Sequence, residues 1–226
     1  MDSVQRANHS ADETAMRISE IYASIHGESQ YVGLPCTLVR TTGCDLRCVY
    51  CDTTYAFSGG RDMSLDEIMA EIRRLGLPFV LLTGGEPMLQ TQIAELAQRL
   101  LEAGFKVAIE TSGAHLLDRL PAAVFRVVDV KTPSSGESQR MEWGALVGLR
   151  PCDAVKFVLA NEDDYHWSVE QMKRLGLVGR TEVLLSPVHG QLDARDLVSW
   201  IVRDRLPVRV NLQAHKYIWG PDAKGV

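Results

Sequence analysis

Cys44, Cys48 and Cys51 are spaced C-x3-C-x2-C, which gathers three of the chain's five cysteines into eight residues. Three thiolates at that spacing can wrap one face of an iron–sulfur cluster. On a four-iron cluster they would leave one iron without a protein ligand, and an open metal position is where a small molecule binds and reacts. The same residues fit two other readings: three ligands of a zinc ion completed by a distant histidine, or small apolar side chains in a core. A disulfide framework fits poorly, because the cysteine count is odd and no apolar leader precedes the motif.

Polar and glycine-rich residues recur elsewhere, each time just after a short apolar run. They are Thr83-Gly84-Gly85-Glu86-Pro87, Glu110-Thr111-Ser112-Gly113, Asp129 and Lys131, Ser186 to His189, and Asn211 to Trp219. Singly each is weak, since a Gly-Gly turn is usually a tight connection. Together they describe a set of strand ends carrying chemistry.

The elements that would position them alternate. Apolar, β-branched runs predict strands over Ile18–Tyr22, Cys36–Arg40, Phe79–Leu82, Lys106–Glu110, Arg126–Val130, Ala154–Leu159, Glu182–Leu185 and Arg209–Leu212. Helices are predicted over Ser64–Leu75, opened by a Ser64/Glu67 capping box and closed by Gly76, and over Thr91–Ala103, Asp163–Leu175 and Asp193–Val202. The segments 111–121 and 138–149 carry no clear pattern. A doubly wound sheet also fits such an alternation, but the strand count and the clustering of special residues after the strands favour an α/β fold that is a small, incomplete (β/α) barrel.

Residues 1–16 are polar and read as a flexible N-terminal extension, with 17–226 as one domain. The 226 residues carry 46% apolar and 23% charged side chains and a net charge of -5. That balance predicts a globular protein and argues against a general nucleic-acid binder, while reduced cysteines and no export signal predict the cytoplasm. No apolar run reaches membrane-spanning length.

With C-x3-C-x2-C after the first barrel strand and Gly-Gly-Glu-Pro after the second, the chain resembles the radical S-adenosylmethionine enzymes. The resemblance implies a [4Fe-4S] cluster on Cys44, Cys48 and Cys51, with S-adenosylmethionine chelating the fourth iron and yielding a 5′-deoxyadenosyl radical. Within that superfamily the chain is similar to the 7-carboxy-7-deazaguanine synthase family through Ile25-His26-Gly27-Glu28, Val39-Arg40, Cys51-Asp52-Thr53, Ile109 to Gly113 and Leu212 to Tyr217. The similarity implies conversion of 6-carboxy-5,6,7,8-tetrahydropterin to 7-carboxy-7-deazaguanine with loss of ammonia. It also implies Mg2+, a flavodoxin-like or other electron donor, and a homodimer.

By the same similarity Thr53 is the Mg2+ ligand, a role suited to a hard hydroxyl oxygen; read alone, Thr53 would only cap a turn. Tyr50, Cys51, Asp52, Gly85, Asp129, Val130, Lys131, Ser186, Pro187, Val188 and His189 would contact S-adenosylmethionine. Ile25, His26, Gly27, Arg40, Thr83, Glu110, Gln213, His215 and Pro221 would contact the pterin, with Arg40 on its carboxylate. Two departures stand out: His26 replaces a common glutamine and would titrate near neutral pH, and Asp129-Val130-Lys131 stands where relatives often have Ser-Pro-Lys. Competing functions are a glycyl-radical-enzyme activating enzyme, disfavoured by the 26–28 segment and Thr53, and a non-catalytic metal-binding module.

Overall fold

The computed structural model describes residues 15–226. Nine strands form one open sheet: β1 (Ala15–Ile25), β2 (Pro35–Thr41), β3 (Arg61–Ser64), β4 (Phe79–Gly84), β5 (Lys106–Thr111), β6 (Phe125–Val130), β7 (Ala154–Leu159), β8 (Glu182–Pro187) and β9 (Arg209–Val210). Their order is β3-β1-β2-β4-β5-β6-β7-β8-β9. From β2 to β9 every neighbour is parallel, while β1 lies antiparallel to both β2 and β3. The helices are α1 (Leu65–Leu75), α2 (Ile93–Glu102), α3 (Glu162–Leu175), α4 (Ala194–Asp204) and α5 (Ala214–Trp219). None of the described helices is long and apolar enough to cross a membrane.

Local chemistry sets the helix ends. Ser64 Oγ accepts from Glu67 N while the Glu67 carboxylate accepts from Ser64 N, and Gly76 closes α1 in the left-handed region. Asn161 and Asp193 cap α3 and α4 through side-chain oxygens. The helices bury Ile68, Ile72, Leu96, Leu100, Tyr165 and Leu197 against the outward strand residues, among them Val80, Ile109, Val128, Phe157 and Leu185.

Alternate residues of the same strands face inward and form layers. The lowest carries Cys36, Phe79 and Phe125; above it lie Leu38, Leu81 and Val127; and Arg40, Thr83, Glu110, Asp129, Lys156 and Ser186 face the cavity at the strands' carboxyl ends. The loop 26–34 joins β1 to β2 and plugs the floor. Tyr31 packs its ring 5.1 Å from Phe79 and 5.2 Å from Phe125, and His26 lies 4.6 Å from Phe79.

The structure changes four expectations. Residues 1–14 of the expected extension lie outside the described residues, but Ala15 and Met16 begin β1 and Met16 is fully buried. β3 and α5 are additions, since Arg61–Ser64 is too short and polar to signal a strand by pattern. The last strand is only Arg209–Val210, and the buried Asn211 side chain that follows bonds Ser29 N, Glu28 and Ser186. The first strand also runs past the expected Tyr22 to Ile25; of the cysteines outside the motif, Cys36 is buried and Cys152 is exposed.

Phe79 is 4% exposed at the centre of the floor, so truncation leaves an unfillable void beneath the cavity. Phe79→Ala is expected to cost about 3–5 kcal/mol in urea unfolding; a loss below about 1 kcal/mol would show that the floor collapses freely around it.

Candidate active site

The cluster loop runs from the end of β2 and is stitched to the loop after β6. Val49 N donates to Ser135 O at 3.0 Å, and Arg47 N donates to Glu137 Oε1 at 2.6 Å. The Tyr50 hydroxyl meets Thr132 Oγ1 and Val158 O, each at 3.0 Å. These ties aim Cys44, Cys48 and Cys51 at one wall of a 730 Å3 cavity over the strand ends, a volume typical of small-molecule sites. All three thiols are free and half-buried. Burial pushes Cys48 up to about 11 and raises Cys44 and Cys51, so bare thiolates are disfavoured there. Bonding to a metal would compensate that cost. Among the described residues no three His, Cys, Asp or Glu side chains converge on one point, as ligands of a lone ion would. All three thiols line the cavity, where cluster ligands would face a bound small molecule.

The two glycines after β4 let this loop dock. A Cβ on Gly85 would collide with the Gly43 carbonyl, and one on Gly84 with the Thr41 backbone. Glu86, fully buried, accepts from Met88 N at 2.8 Å, Thr111 Oγ1 at 2.7 Å and Ser112 N at 2.7 Å, fixing the β4 turn to the end of β5.

Across the cavity lies a charged layer. Lys156 Nζ is 2.7 Å from Glu28 Oε2 and 3.3 Å from Asp129 Oδ2, which is also 3.3 Å from Lys131 Nζ. Glu28 accepts further bonds from Gln213 at 2.8 Å and Asn211 at 3.2 Å. Burial would raise the Glu28 carboxyl, but Lys156 outweighs it and holds Glu28 low. Glu110 has no such donor. Burial, with Glu28 and Asp129 adding to it, lifts its carboxyl to about 7 despite Lys156 and Arg40. Arg40 is aligned by Glu20, 2.7 Å from its Nε, and lies over the Tyr55 ring.

The C-terminal helix covers the other side. Ala214 N donates to Gly27 O at 2.8 Å, and the His215 ring packs where a Gly27 Cβ would stand. Asp52 meets Lys216 Nζ at 2.7 Å and Gln213 at 3.1 Å. Burial alone would raise Asp52; Lys216 and these hydrogen bonds bring it far below the usual carboxylate range. Thr53 precedes a short 3-10 turn without capping it by its side chain; its hydroxyl donates to Asp52 Oδ1 at 3.0 Å and faces the cavity. The turn-capping role is therefore not what its side chain does.

Most residues singled out from the sequence line this cavity: Ile25, Gly27, Arg40, Tyr50, Asp52, Thr53, Thr83, Gly85, Glu110, Asp129, Lys131, Ser186, Val188, His189, Gln213, His215 and Pro221, with the three cysteines. His26, Val130 and Pro187 do not. His26 is fully buried in the floor with neither ring nitrogen hydrogen-bonded, and burial lowers it to about 4, which corrects the expectation of titration near neutrality. Val130 points outward into the helix-facing core, because Asp129 and Lys131 take the inward positions of the alternation. Pattern reading missed Lys156, and it gave no individual role to Glu28, Asn211 or Lys216 within the segments it singled out. A lysine inside the apolar run Ala154–Leu159 was the available signal for the first.

Gly85→Ala is expected to fold yet push the Gly43–Cys44 backbone away, cutting iron bound after anaerobic reconstitution several-fold. Iron content and visible absorbance at wild-type levels would show that the close approach is not what seats the loop.

Comparison with known proteins agrees with this geometry. The Radical SAM superfamily model matches residues 38–133. A 7-carboxy-7-deazaguanine synthase from Koribacter versatilis is 44% identical over 93% of this chain and 100% of its own length. One from Chlorobaculum tepidum is 42% identical over 95% of this chain and 99% of its own. The crystal structure of QueE from Escherichia coli shares the fold, with a TM-score of 0.76 at 22% identity, covering 92% of this chain and all of that one. Radical SAM membership implies a [4Fe-4S] cluster and S-adenosylmethionine, which the three free thiols on one cavity wall fit. The chain belongs to the 7-carboxy-7-deazaguanine synthase family of the radical SAM superfamily.

Proposed function

We propose that this chain is a 7-carboxy-7-deazaguanine synthase, contracting the ring of 6-carboxy-5,6,7,8-tetrahydropterin with loss of ammonia. One observation carries the reading: apart from His26, the residues that the family similarity assigns to the pterin come from the end of β1, the strand ends and the C-terminal segment around α5, yet face the same cavity as the three thiols. Bound at Cys44, Cys48 and Cys51, the cluster and S-adenosylmethionine supply one-electron cleavage of the sulfonium and hydrogen-atom abstraction.

The chain's own residues bind, orient and shield. Arg40, preset by Glu20, would take the substrate carboxylate with its planar fork. Thr83 and Glu110 would face the pterin ring. With its carboxyl near 7, Glu110 can donate or accept a hydrogen bond at neutral pH. Gln213, His215 and Pro221 would cover the pterin and exclude water. Gly85, Lys131, Ser186, Val188, His189 and the Tyr50–Asp52 turn would bound S-adenosylmethionine; Val130 and Pro187 would take part only through backbone. We assign Mg2+ to Thr53, whose hydroxyl keeps its lone pairs free while donating to Asp52. We also read the 17–226 segment as one domain of a cytoplasmic homodimer reduced by a flavodoxin-like or other donor. Exposed Tyr217, Ile218 and Trp219 on α5 support the dimer.

The test is anaerobic turnover of the reconstituted, reduced protein with the carboxytetrahydropterin, S-adenosylmethionine and Mg2+, read by mass spectrometry. Carboxydeazaguanine is expected from wild type and none from Cys48→Ala; no product from a fully loaded wild type would overturn the reading. Thr53→Ala should keep the cluster and raise the Mg2+ needed for half-activation about tenfold, or roughly 1.4 kcal/mol. An unchanged Mg2+ response would remove Thr53 from the metal site.

A further inference from the structure

Four charges of alternating sign cross the cavity. Glu28 meets Lys156 at 2.7 Å, Lys156 meets Asp129 at 3.3 Å, and Asp129 meets Lys131 at 3.3 Å. Nothing in binding a pterin or a nucleoside requires so long a row. Its last member lies at the cluster end of the cavity. Lys131 immediately precedes Thr132, whose hydroxyl is bonded to Tyr50 between Cys48 and Cys51, and Ser135 holds Val49 through its carbonyl. The Lys131 side chain is 15% exposed and its one ion-pair partner among the described residues is Asp129. Asp129 in turn leaves Oδ1 buried without a hydrogen-bond partner, so its charge is spent on the two lysines alone.

Most other charges around the cluster loop are already engaged, while the Arg47 guanidinium within it donates to the Cys44 and Leu46 carbonyls at 2.7 Å each and has no carboxylate partner among the described residues. Asp45 pairs with Arg140 at 2.9 Å and meets His115 at 3.3 Å, Asp52 pairs with Lys216, and the Glu86 carboxylate is held by Met88 N, Thr111 and Ser112 N. Lys131 lines the same cavity as all three thiols.

We propose that Lys131 and Asp129 form an electrostatic pair that sets the reduction potential of the cluster held by Cys44, Cys48 and Cys51, Lys131 raising it and Asp129 restraining that effect. Reduction adds one electron, and so one negative charge, to the cluster. A fixed cation beside it stabilises the reduced state and raises the potential, and a fixed anion does the reverse. The protein interior screens such charges weakly, so their sign governs the direction of the shift. Lys156, one charge further along the row, acts in the same sense as Lys131 but less strongly. The inference rests on the cluster assignment and is independent of which substrate the cavity turns over.

The experiment is an EPR-monitored redox titration of the reconstituted protein without S-adenosylmethionine, for wild type, Lys131→Met, Asp129→Asn and Lys156→Met. Lys131→Met is expected to shift the midpoint to more negative potential, Lys156→Met to shift it less in the same direction, and Asp129→Asn to shift it to more positive potential. A purely structural role would not split the signs. Equal potentials, or shifts in one direction for all variants, would overturn the proposal. Should Lys131→Met fail to hold iron, the opposite signs of Asp129→Asn and Lys156→Met still decide it. Absence of a cluster signal from wild type would instead overturn the cluster assignment itself.

Discussion

The ion pair between Lys156 and Glu28 is the interaction on which the site depends. The sheet is open, with β3 and β9 at its edges, so no ladder of backbone hydrogen bonds joins its two ends. The loop 26–34 bridges them instead. Glu28 reaches Lys156 on β7, Ser29 N donates to Asn211 Oδ1 beyond β9 at 2.8 Å, and the Gln30 side chain donates to Cys152 O at 2.9 Å. Both ions are largely out of water, which is costly unless each is paired and hydrogen-bonded. Gln213 and Asn211 complete the Glu28 carboxylate, and Asp129 completes Lys156. The same pair thus ties the β1–β2 loop to β7 across the open side of the sheet, seats Gly27 under α5 and holds one end of the charged row that runs to the cluster loop.

The second constraint is steric. The cluster loop lies flat on the end of β4 only because Gly84 and Gly85 carry no Cβ. Hydrogen bonds from Val49, Tyr50 and Arg47 then hold its far side to the loop after β6. The three thiols consequently face the same space as Arg40, Thr83 and Glu110, which belong to strands far apart in the sequence.

Much of this was legible in the sequence because local rules carried it. Buried parallel strands read as apolar runs, and α1 announced itself by its Ser64/Glu67 box. The cysteine spacing and the glycines after β4 marked the loop and its docking surface. What escaped depended on long-range pairing. Lys156 looks anomalous within Ala154–Leu159, but its partner Glu28 is 128 residues away. α5 is six residues long and buries no side chain, so it owes its place to Gly27, Asp52 and Glu28 rather than to an apolar stripe. The family similarity assigns His26 to the pterin together with Ile25 and Gly27, and only those two line the cavity. A turn of the chain aims it into the Tyr31–Phe79–Phe125 floor instead.

The most direct test of this account is a double-mutant cycle on Glu28→Gln and Lys156→Met, followed by denaturant unfolding of the protein at neutral pH. Lys156→Met leaves the buried Glu28 without its counter-charge and should lose about 3–5 kcal/mol, and Glu28→Gln leaves Lys156 only its longer contact with Asp129 and should lose somewhat less. The double variant should lose much less than the sum, giving a coupling energy above roughly 1 kcal/mol. Losses that add to within about 0.5 kcal/mol would show that the two residues do not act as one fastening, and the account of how the open sheet is closed would fall.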